Sequence, residues 1–328
     1  MPYYTMRDGE QIFAYVIGEG SPCILVNGFF CVAKMWVPIV TTLKGLGCQF
    51  ILMDVRGCGE SAMARHTKPH FEQFGEDVDD LLDSLGHAQA KLFGCSQGAY
   101  AGLVKYKVTG FRRISSFLLY EHALKVAPAG GYQYGINPDV FEMYCAAVAV
   151  WKRLKLDDPR VPFKELPREF QKAYRVACMG TIEYCCDSSL LGKVTKPLVQ
   201  AAVRAIQTST SMWHGTMKIM EDYVDHDYGI SLEDIEQMKL PVTVMYARRS
   251  RLFPNAAILE MVERMPNVKL IPYEKSGHAI FLTEPWKFRE DLARFFSQPP
   301  LTTVPRTTAP QMTAPAPARG TEDKVEVF

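Results

Sequence analysis

The chain has 328 residues, and its 37 lysines and arginines nearly balance 36 aspartates and glutamates, for a net charge of +1. Hydrophobic residues make up 48% and charged residues 22%, which is usual for a globular protein and excludes a mostly disordered chain. The length allows two domains or one large α/β unit. No broad basic field marks a nucleic-acid partner, and no apolar run approaches the roughly 20 residues of a membrane helix.

The nine cysteines are odd in number and include no CxxC pair, which is typical of buried thiols in a reducing compartment. The adjacent pair Cys185-Cys186 has no histidine cluster near it in the sequence, so we expect no metal site. The N-terminus has no apolar signal core. We therefore expect a cytoplasmic protein with a small-molecule substrate and no membrane contact, and the oligomeric state stays open, a homodimer included.

The first half of the chain alternates between short apolar runs and helical stretches. Segments 3–5 and 11–16 predict a β-hairpin around the Asp8-Gly9 turn. Continuous apolar runs predict buried strands at 23–26, 50–53, 92–93 and 114–120. Helical periodicity predicts helices over 35–46, 71–85 and 97–108. This alternation indicates a mostly parallel, doubly wound α/β sheet.

The alternation stops near residue 124, and only helical segments follow up to about residue 238: 140–154, 167–179, 193–207 and 213–224. A strand at 242–246, a helix at 256–265, a strand at 268–271 and a helix at 285–296 then complete the pattern. We therefore predict an α/β core of residues 1–123 and 239–297 with an inserted helical cap, residues 124–238. Residues 298–328 are rich in proline and threonine and predict a disordered tail.

A G-x-S-x-G motif, Gly94 to Gly98, stands directly between a predicted strand and a predicted helix. Such a turn holds its serine in a strained conformation that needs small neighbours, and it exposes the hydroxyl at a helix N-terminus. The alternative is a glycine-rich turn of another kind of α/β protein. We predict that Ser96 is a nucleophile.

Two further segments end at the same predicted edge of the sheet. His278 follows the last predicted strand, where a histidine can reach Ser96 as a general base. Phe29 follows the strand at 23–26, and its backbone N–H can face the same oxygen as the N–H of Gln97. These two N–H groups would form an oxyanion hole.

These motifs, in this order, resemble the α/β-hydrolase family over roughly residues 10–297. The resemblance depends on the Asn27-Gly28 turn (usually His-Gly in the family), the loop 54–61, the Ser96 elbow, and the closing pattern from Gly277-His278 to Glu284-Pro285. It implies an α/β-hydrolase fold with a helical cap inserted before the seventh strand.

The chain departs from the family at the triad acid. The family usually places this acid after the seventh strand, where this chain has Ser250, and no aspartate or glutamate occurs between Met245 and Leu259. Glu121, at the end of the sixth predicted strand, is the replacement that we predict, because a carboxylate there can fix the tautomer of His278. The alternative is a carboxylate that only caps a loop, although a lone buried carboxylate is costly without a partner.

The elbow Gly94-Cys95-Ser96 and the acid at Glu121 are similar to those of zearalenone-lactone hydrolases, a branch of the family. The predicted cap of this chain differs from that of this branch, so the substrate of the branch cannot be assigned to this chain. Phe30 and Trp213 are candidate substrate-binding residues, although Trp213 could equally hold the cap together. The arginines at 248, 249 and 251 could steer an anionic substrate, but a solvated loop is the favoured interpretation.

The leading prediction is a serine hydrolase that cleaves a carboxylic ester or lactone of a small, mostly apolar molecule through an acyl-enzyme, without metal or cofactor. A second hypothesis keeps the triad but excludes water, which gives a cyclase, isomerase or acyltransferase of small-molecule metabolism. A third is a non-catalytic small-molecule receptor, and its only support is the missing acid after the seventh strand.

Overall fold

The computed structural model of the chain describes residues 2–186, 193–201 except 195 and 198, and 212–298. Within them, eight strands form one sheet in the order β1-β2-β4-β3-β5-β6-β7-β8. The strands are β1 (Tyr3–Thr5), β2 (Gln11–Ile17), β3 (Ser21–Val26), β4 (Cys48–Met53), β5 (Ala90–Cys95), β6 (Ile114–Tyr120), β7 (Val242–Ala247) and β8 (Val268–Tyr273). β1 and β2 form the predicted hairpin, β2 pairs antiparallel with β4, and all later neighbours pair in parallel. The predicted mostly parallel sheet is confirmed.

Helices cover both faces of this sheet, which explains why its central strands are apolar on both sides. The helices of the sheet region are α1 (Val37–Thr41), α2 (His70–Ser84), α3 (Gln97–Thr109), α8 (Asn255–Arg264), α9 (Ile280–Thr283) and α10 (Pro285–Ser297). The helix predicted over 35–46 is shorter: a 3-10 turn at Ala33–Trp36 leads into α1, and Gly45 and Gly47 then turn the chain with positive φ.

Helices also fill the described residues between β6 and β7, where the structure has no strand. They are α4 (Pro138–Leu154), α5 (Arg168–Cys185), α6 (Met212–Asp225) and α7 (Leu232–Glu236). α6 meets the loop after β4 so closely that a Cβ on Gly215 would lie 1.9 Å from the Gly57 carbonyl oxygen. The division into core and cap stays a prediction. The predicted helix 193–207 lies only partly within the described residues, and the predicted tail lies almost wholly outside them.

Parallel pairing brings the carboxyl ends of β3, β5, β6 and β8 to one edge of the sheet. The segments that follow these strands carry the predicted nucleophile, acid, base and oxyanion donors. The topology therefore gathers them at one place, as expected for an open α/β sheet.

Candidate active site

Ser96 occupies a sharp turn between β5 and α3, with φ 52° and ψ −114°. Two glycines allow this turn. A Cβ on Gly94 would lie 2.4 Å from the Gly98 carbonyl oxygen, and a Cβ on Gly98 would lie 2.8 Å from the Val26 carbonyl oxygen. Larger residues would collide with backbone, so the spacing of the motif follows from the geometry of the turn.

His278 contacts this serine, with its Nε2 2.9 Å from Ser96 Oγ. The histidine loop is held from beneath by Tyr120, whose hydroxyl donates to the His278 carbonyl oxygen and accepts the Ile280 N–H at 2.9 Å. Sequence reasoning missed Tyr120, because a tyrosine that ends a buried strand belongs to no motif. Its role becomes visible only when β6 and the loop after β8 are neighbours.

Glu121 follows β6 directly, with φ 42°, and it is fully buried. Its Oε2 lies 3.3 Å from His278 Nδ1. Neither carboxylate oxygen accepts a hydrogen bond from the part of the chain that the structure describes. The contact is therefore an ion pair when His278 is protonated. Among the described residues, His278 is the polar partner of the buried Glu121 carboxylate. The structure brings Ser96, His278 and Glu121 together.

The segments of the two predicted oxyanion donors lie side by side. A Cβ on Gly28 would lie 3.4 Å from Ser96 Cβ, which sets the backbone before Phe29 against the elbow. Within the described residues, the backbone N–H groups of Phe29 and Gln97 have no acceptor. Both are therefore available to bind a developing negative charge.

An apolar cavity of about 330 Å³ opens at Ser96 and His278. Apolar and aromatic side chains from the sheet edge and from α4, α5 and α6 contribute to its walls: Phe29, Phe30, Ile136, Tyr144, Ile182, Tyr223, Leu252, Phe253, Phe281 and Leu282. The predicted residue Phe30 thus lines the cavity.

Tyr144 and Tyr223, which line the cavity from α4 and α6, donate their hydroxyl hydrogen bonds to other protein groups. The Tyr144 hydroxyl donates to Thr181 Oγ1 at 2.9 Å, since that hydroxyl itself donates to a helix carbonyl. The Tyr223 hydroxyl donates to His122 Nε2 at 3.1 Å. Burial lowers the pKa of His122 to about 3, so this ring brings no charge to the cavity wall.

The structure places Trp213 away from the described lining of the cavity. Its indole is fully buried inside the cap, its Nε1 donates to the Val161 carbonyl oxygen at 2.9 Å, and its ring packs edge-on against Phe170 at 5.6 Å. It is absent from the described residues that line the cavity. The physical reason is that this side of α6 packs on the other cap helices.

The loop after β7 contacts α4 and α5, and its Phe253 ring also packs on His278 at a ring-centre distance of 5.7 Å. The Arg251 guanidinium lies 4.8 Å from the ring centre of Tyr184 in α5. Asn137, which caps α4, donates its backbone N–H to the Leu252 carbonyl oxygen at 2.8 Å and its side chain to the Arg251 carbonyl oxygen at 3.2 Å. At the usual position of the acid, Ser250 Oγ accepts the Phe253 N–H at 3.4 Å. This loop therefore links α4 and α5 to the sheet.

The loop 54–61 is organised by buried charges. Asp54 accepts the N–H groups of Ala33 at 2.6 Å and Glu60 at 3.0 Å, while burial raises the pKa of its carboxyl to about 6. Buried Arg56 lies 2.7 Å from Asp77, whose pKa burial also raises to about 6. These groups shape the loop that packs against α6.

In the described ranges, no trio of histidine, cysteine or acidic side chains is placed to share a metal ion. Among the described helices, none combines the length and the apolar character that crossing a membrane requires.

Comparison with known proteins identifies the fold. The family model for the alpha/beta hydrolase fold matches residues 22–104, from β3 into α3. The AB hydrolase superfamily protein YisY of Bacillus subtilis is 23% identical over 299 residues, which cover 89% of this chain and 98% of YisY. This chain has the α/β-hydrolase fold.

Solved α/β-hydrolase structures superpose on most of the chain. The esterase EaEST from Exiguobacterium antarcticum has a TM-score of 0.70 at 21% identity, covering 90% of this chain and 99% of that one. The enol-lactonase from Burkholderia xenovorans LB400 has a TM-score of 0.68 at 19% identity, covering 90% of this chain and all of that one. At these identities the likeness concerns the fold. The closer resemblance to zearalenone-lactone hydrolases stays a prediction.

Proposed function

We propose that this α/β-hydrolase is a serine hydrolase that cleaves a carboxylic ester or lactone of a small, mostly apolar molecule. The observation that carries the proposal is the 2.9 Å contact between Ser96 Oγ and His278 Nε2 at the wall of an apolar cavity. A nucleophile, a base within hydrogen-bond reach, and a third group behind the base are the parts that acyl transfer needs.

In the first half-reaction, Ser96 Oγ attacks the carbonyl carbon while its proton passes to His278 Nε2. The resulting imidazolium keeps its Nδ1–H toward Glu121, whose charge stabilises it. The N–H groups of Phe29 and Gln97 bind the oxyanion. When the tetrahedral intermediate collapses, the alcohol oxygen leaves with the proton from Nε2, and the acyl group remains on Ser96.

In the second half-reaction, His278 takes a proton from water, which attacks the acyl-enzyme. Collapse of this second intermediate breaks the bond to Ser96, whose oxygen recovers its proton from His278, and the carboxylic acid is released. With a lactone, the alcohol and the acid are the two ends of one product.

The cavity wall supports an uncharged substrate. Its cap-side phenols already donate to protein groups, and its other walls are apolar or aromatic, so a charged substituent would lose its hydration without gaining a partner. The names of the structurally similar esterase and enol-lactonase agree with ester and lactone chemistry.

Labelling by a fluorophosphonate tests the proposal. We expect the wild-type protein to be modified at Ser96, as read by peptide mass spectrometry, and to hydrolyse p-nitrophenyl esters, while a folded Ser96→Ala variant does neither. In heavy-oxygen water, label should enter the carboxylic acid product, because water releases the acyl group. Full esterase activity in Ser96→Ala would refute the proposal, and a product without label would indicate a cyclase or an acyltransferase.

A further inference from the structure

The side chain of Gln97 joins the two segments that supply the oxyanion donors. Its Nε2 donates to the Asn27 carbonyl oxygen at 2.9 Å, just beyond the last sheet pair between β3 and β5, Val26 with Gly94. A carbonyl oxygen only accepts hydrogen bonds, so the amide orientation follows. The Gln97 Oε1 therefore points away from Asn27, and it is buried without a hydrogen bond of normal geometry from the described residues.

His70 is the candidate donor for this oxygen. It is the first residue of α2 and only 3% exposed, and its Nε2 is likewise buried without a conventional partner among the described residues. Burial lowers the pKa of His70 to about 3, and the Gln97 side chain opposes that shift. The ring is neutral at working pH and carries one N–H.

A second histidine determines which ring nitrogen carries that proton. His66 Nε2 lies 2.9 Å from His70 Nδ1. If His66 donates here, His70 Nδ1 accepts, and the His70 N–H is on Nε2, opposite Gln97 Oε1. With donation running from His66 to His70, from His70 to Gln97 and from Gln97 to the Asn27 carbonyl, each nitrogen and oxygen in this series has one defined role as donor or acceptor.

We propose that His70 and the Gln97 side chain are positioning residues that hold the two backbone donors of the oxyanion hole at their working separation. The inference rests on the proposed function. One donor belongs to Gln97 itself, and the other follows the Asn27-Gly28 turn that its side chain binds. Without the amide link, the turn after β3 can shift relative to the elbow, and shifts of about 1 Å in such sites cost up to about a hundredfold in rate.

This role differs from ordinary stabilisation in what it changes. The oxyanion exists only in the tetrahedral intermediates, so a displaced donor lowers kcat and leaves the KM for the ester nearly unchanged. The same displacement slows phosphonylation of Ser96, because that reaction also develops charge on an oxygen in the hole. The pH profile of kcat should keep its shape, since the contacts of His278 are untouched.

The experiment compares Gln97→Met, His70→Met and His70→Gln with the wild-type protein. We expect both methionine variants to lose about tenfold or more in kcat and in the labelling rate by a fluorophosphonate, with KM within about twofold. His70→Gln keeps an amide donor near Nε2 and should recover most of the rate. The matched control is His87→Met, because His87 contacts Gln49 at the opposite end of the strands, and it should leave kcat unchanged.

Thermal melts show whether each variant folds. If His70→Met does not fold, the kcat of Gln97→Met tests the positioning role, and His70→Gln is compared with it as the conservative variant that folds. A folded methionine variant with wild-type kcat, or a loss confined to KM, would overturn the positioning role. A wild-type protein that the fluorophosphonate does not label would instead overturn the proposed function, so the two failures are distinguishable.

Discussion

Replacing Glu121 by glutamine tests the acid of the proposed triad most directly. At 3.3 Å, a carboxylate and an imidazolium attract each other by about 5 kcal/mol at an effective dielectric constant of about 20. The imidazolium forms only as the reaction proceeds, so this attraction acts on the barrier. Since about 1.4 kcal/mol corresponds to a factor of ten, we expect Glu121→Gln to lower kcat by about 10³-fold or more.

The assay is the hydrolysis of a p-nitrophenyl ester at saturating substrate, with a thermal melt for each protein. Glu260→Gln is the matched control, because this glutamate of α8 also has a buried carboxylate oxygen without a hydrogen bond from the described residues, yet it lies away from the site. A double variant, Glu121→Gln with Ser250→Asp, returns a carboxylate to the position usual in the family and should recover part of the rate.

A loss of less than about tenfold in folded Glu121→Gln would refute the reasoning, because even fully solvated charges at this distance attract by more than about 1 kcal/mol. An equal loss in Glu260→Gln would show that the effect does not come from the histidine. Either result would leave the carboxylate with the loop-capping role that the sequence also allowed.

Three further changes probe the surroundings of the site. Tyr120→Phe removes the hydroxyl that holds the loop of the catalytic histidine, so kcat should fall by about tenfold and urea unfolding should show a loss of about 1–3 kcal/mol; an unchanged kcat would argue against this anchor. Arg56→Met leaves Asp77 buried without its counter-charge and should cost about 3–5 kcal/mol in the free energy of unfolding. Because the folded-state pKa of Asp77 is raised, the variant should gain stability as the pH falls from about 8 to about 5, and a loss over this range would contradict the assignment. Gly215→Ala should lose about 1–3 kcal/mol through collision with the loop after β4, whereas Gly75→Ala, in a helix with ordinary contacts, should be neutral or stabilising by calorimetry.

The local parts of the site were predictable because chemistry restricts short segments. A serine on a strained turn needs glycines at fixed offsets, so Ser96 could be named from five consecutive residues. His278 could be named from its order relative to the strands, because parallel strands end at one edge. Glu121 followed from the family resemblance, since the loop that usually carries the acid in that family has none here.

The contacts that join distant segments were not predictable. Nothing local shows that Tyr120 reaches the loop after β8, or that the Gln97 side chain reaches the Asn27 carbonyl, because these pairs depend on how strands and helices pack. The burial of Trp213 away from the described cavity lining was not predictable for a related reason. An apolar helix stripe has the same period whether it faces a cavity or another helix. Periodicity therefore cannot tell a residue that lines the cavity from one that packs between helices.

The contacts of the loop after β7 have an evolutionary consequence. With the carboxylate at the end of β6, this loop carries no group of the proposed triad, and it instead holds the ends of α4 and α5. Mutations at Arg251 can alter how α4 and α5 lie over the cavity while the proton-transfer residues stay in place, whereas Phe253 packs on His278 and is best left unchanged. Substrate range and chemistry can then evolve on separate residues, and variant libraries aimed at new substrates should be concentrated at residues 250–252.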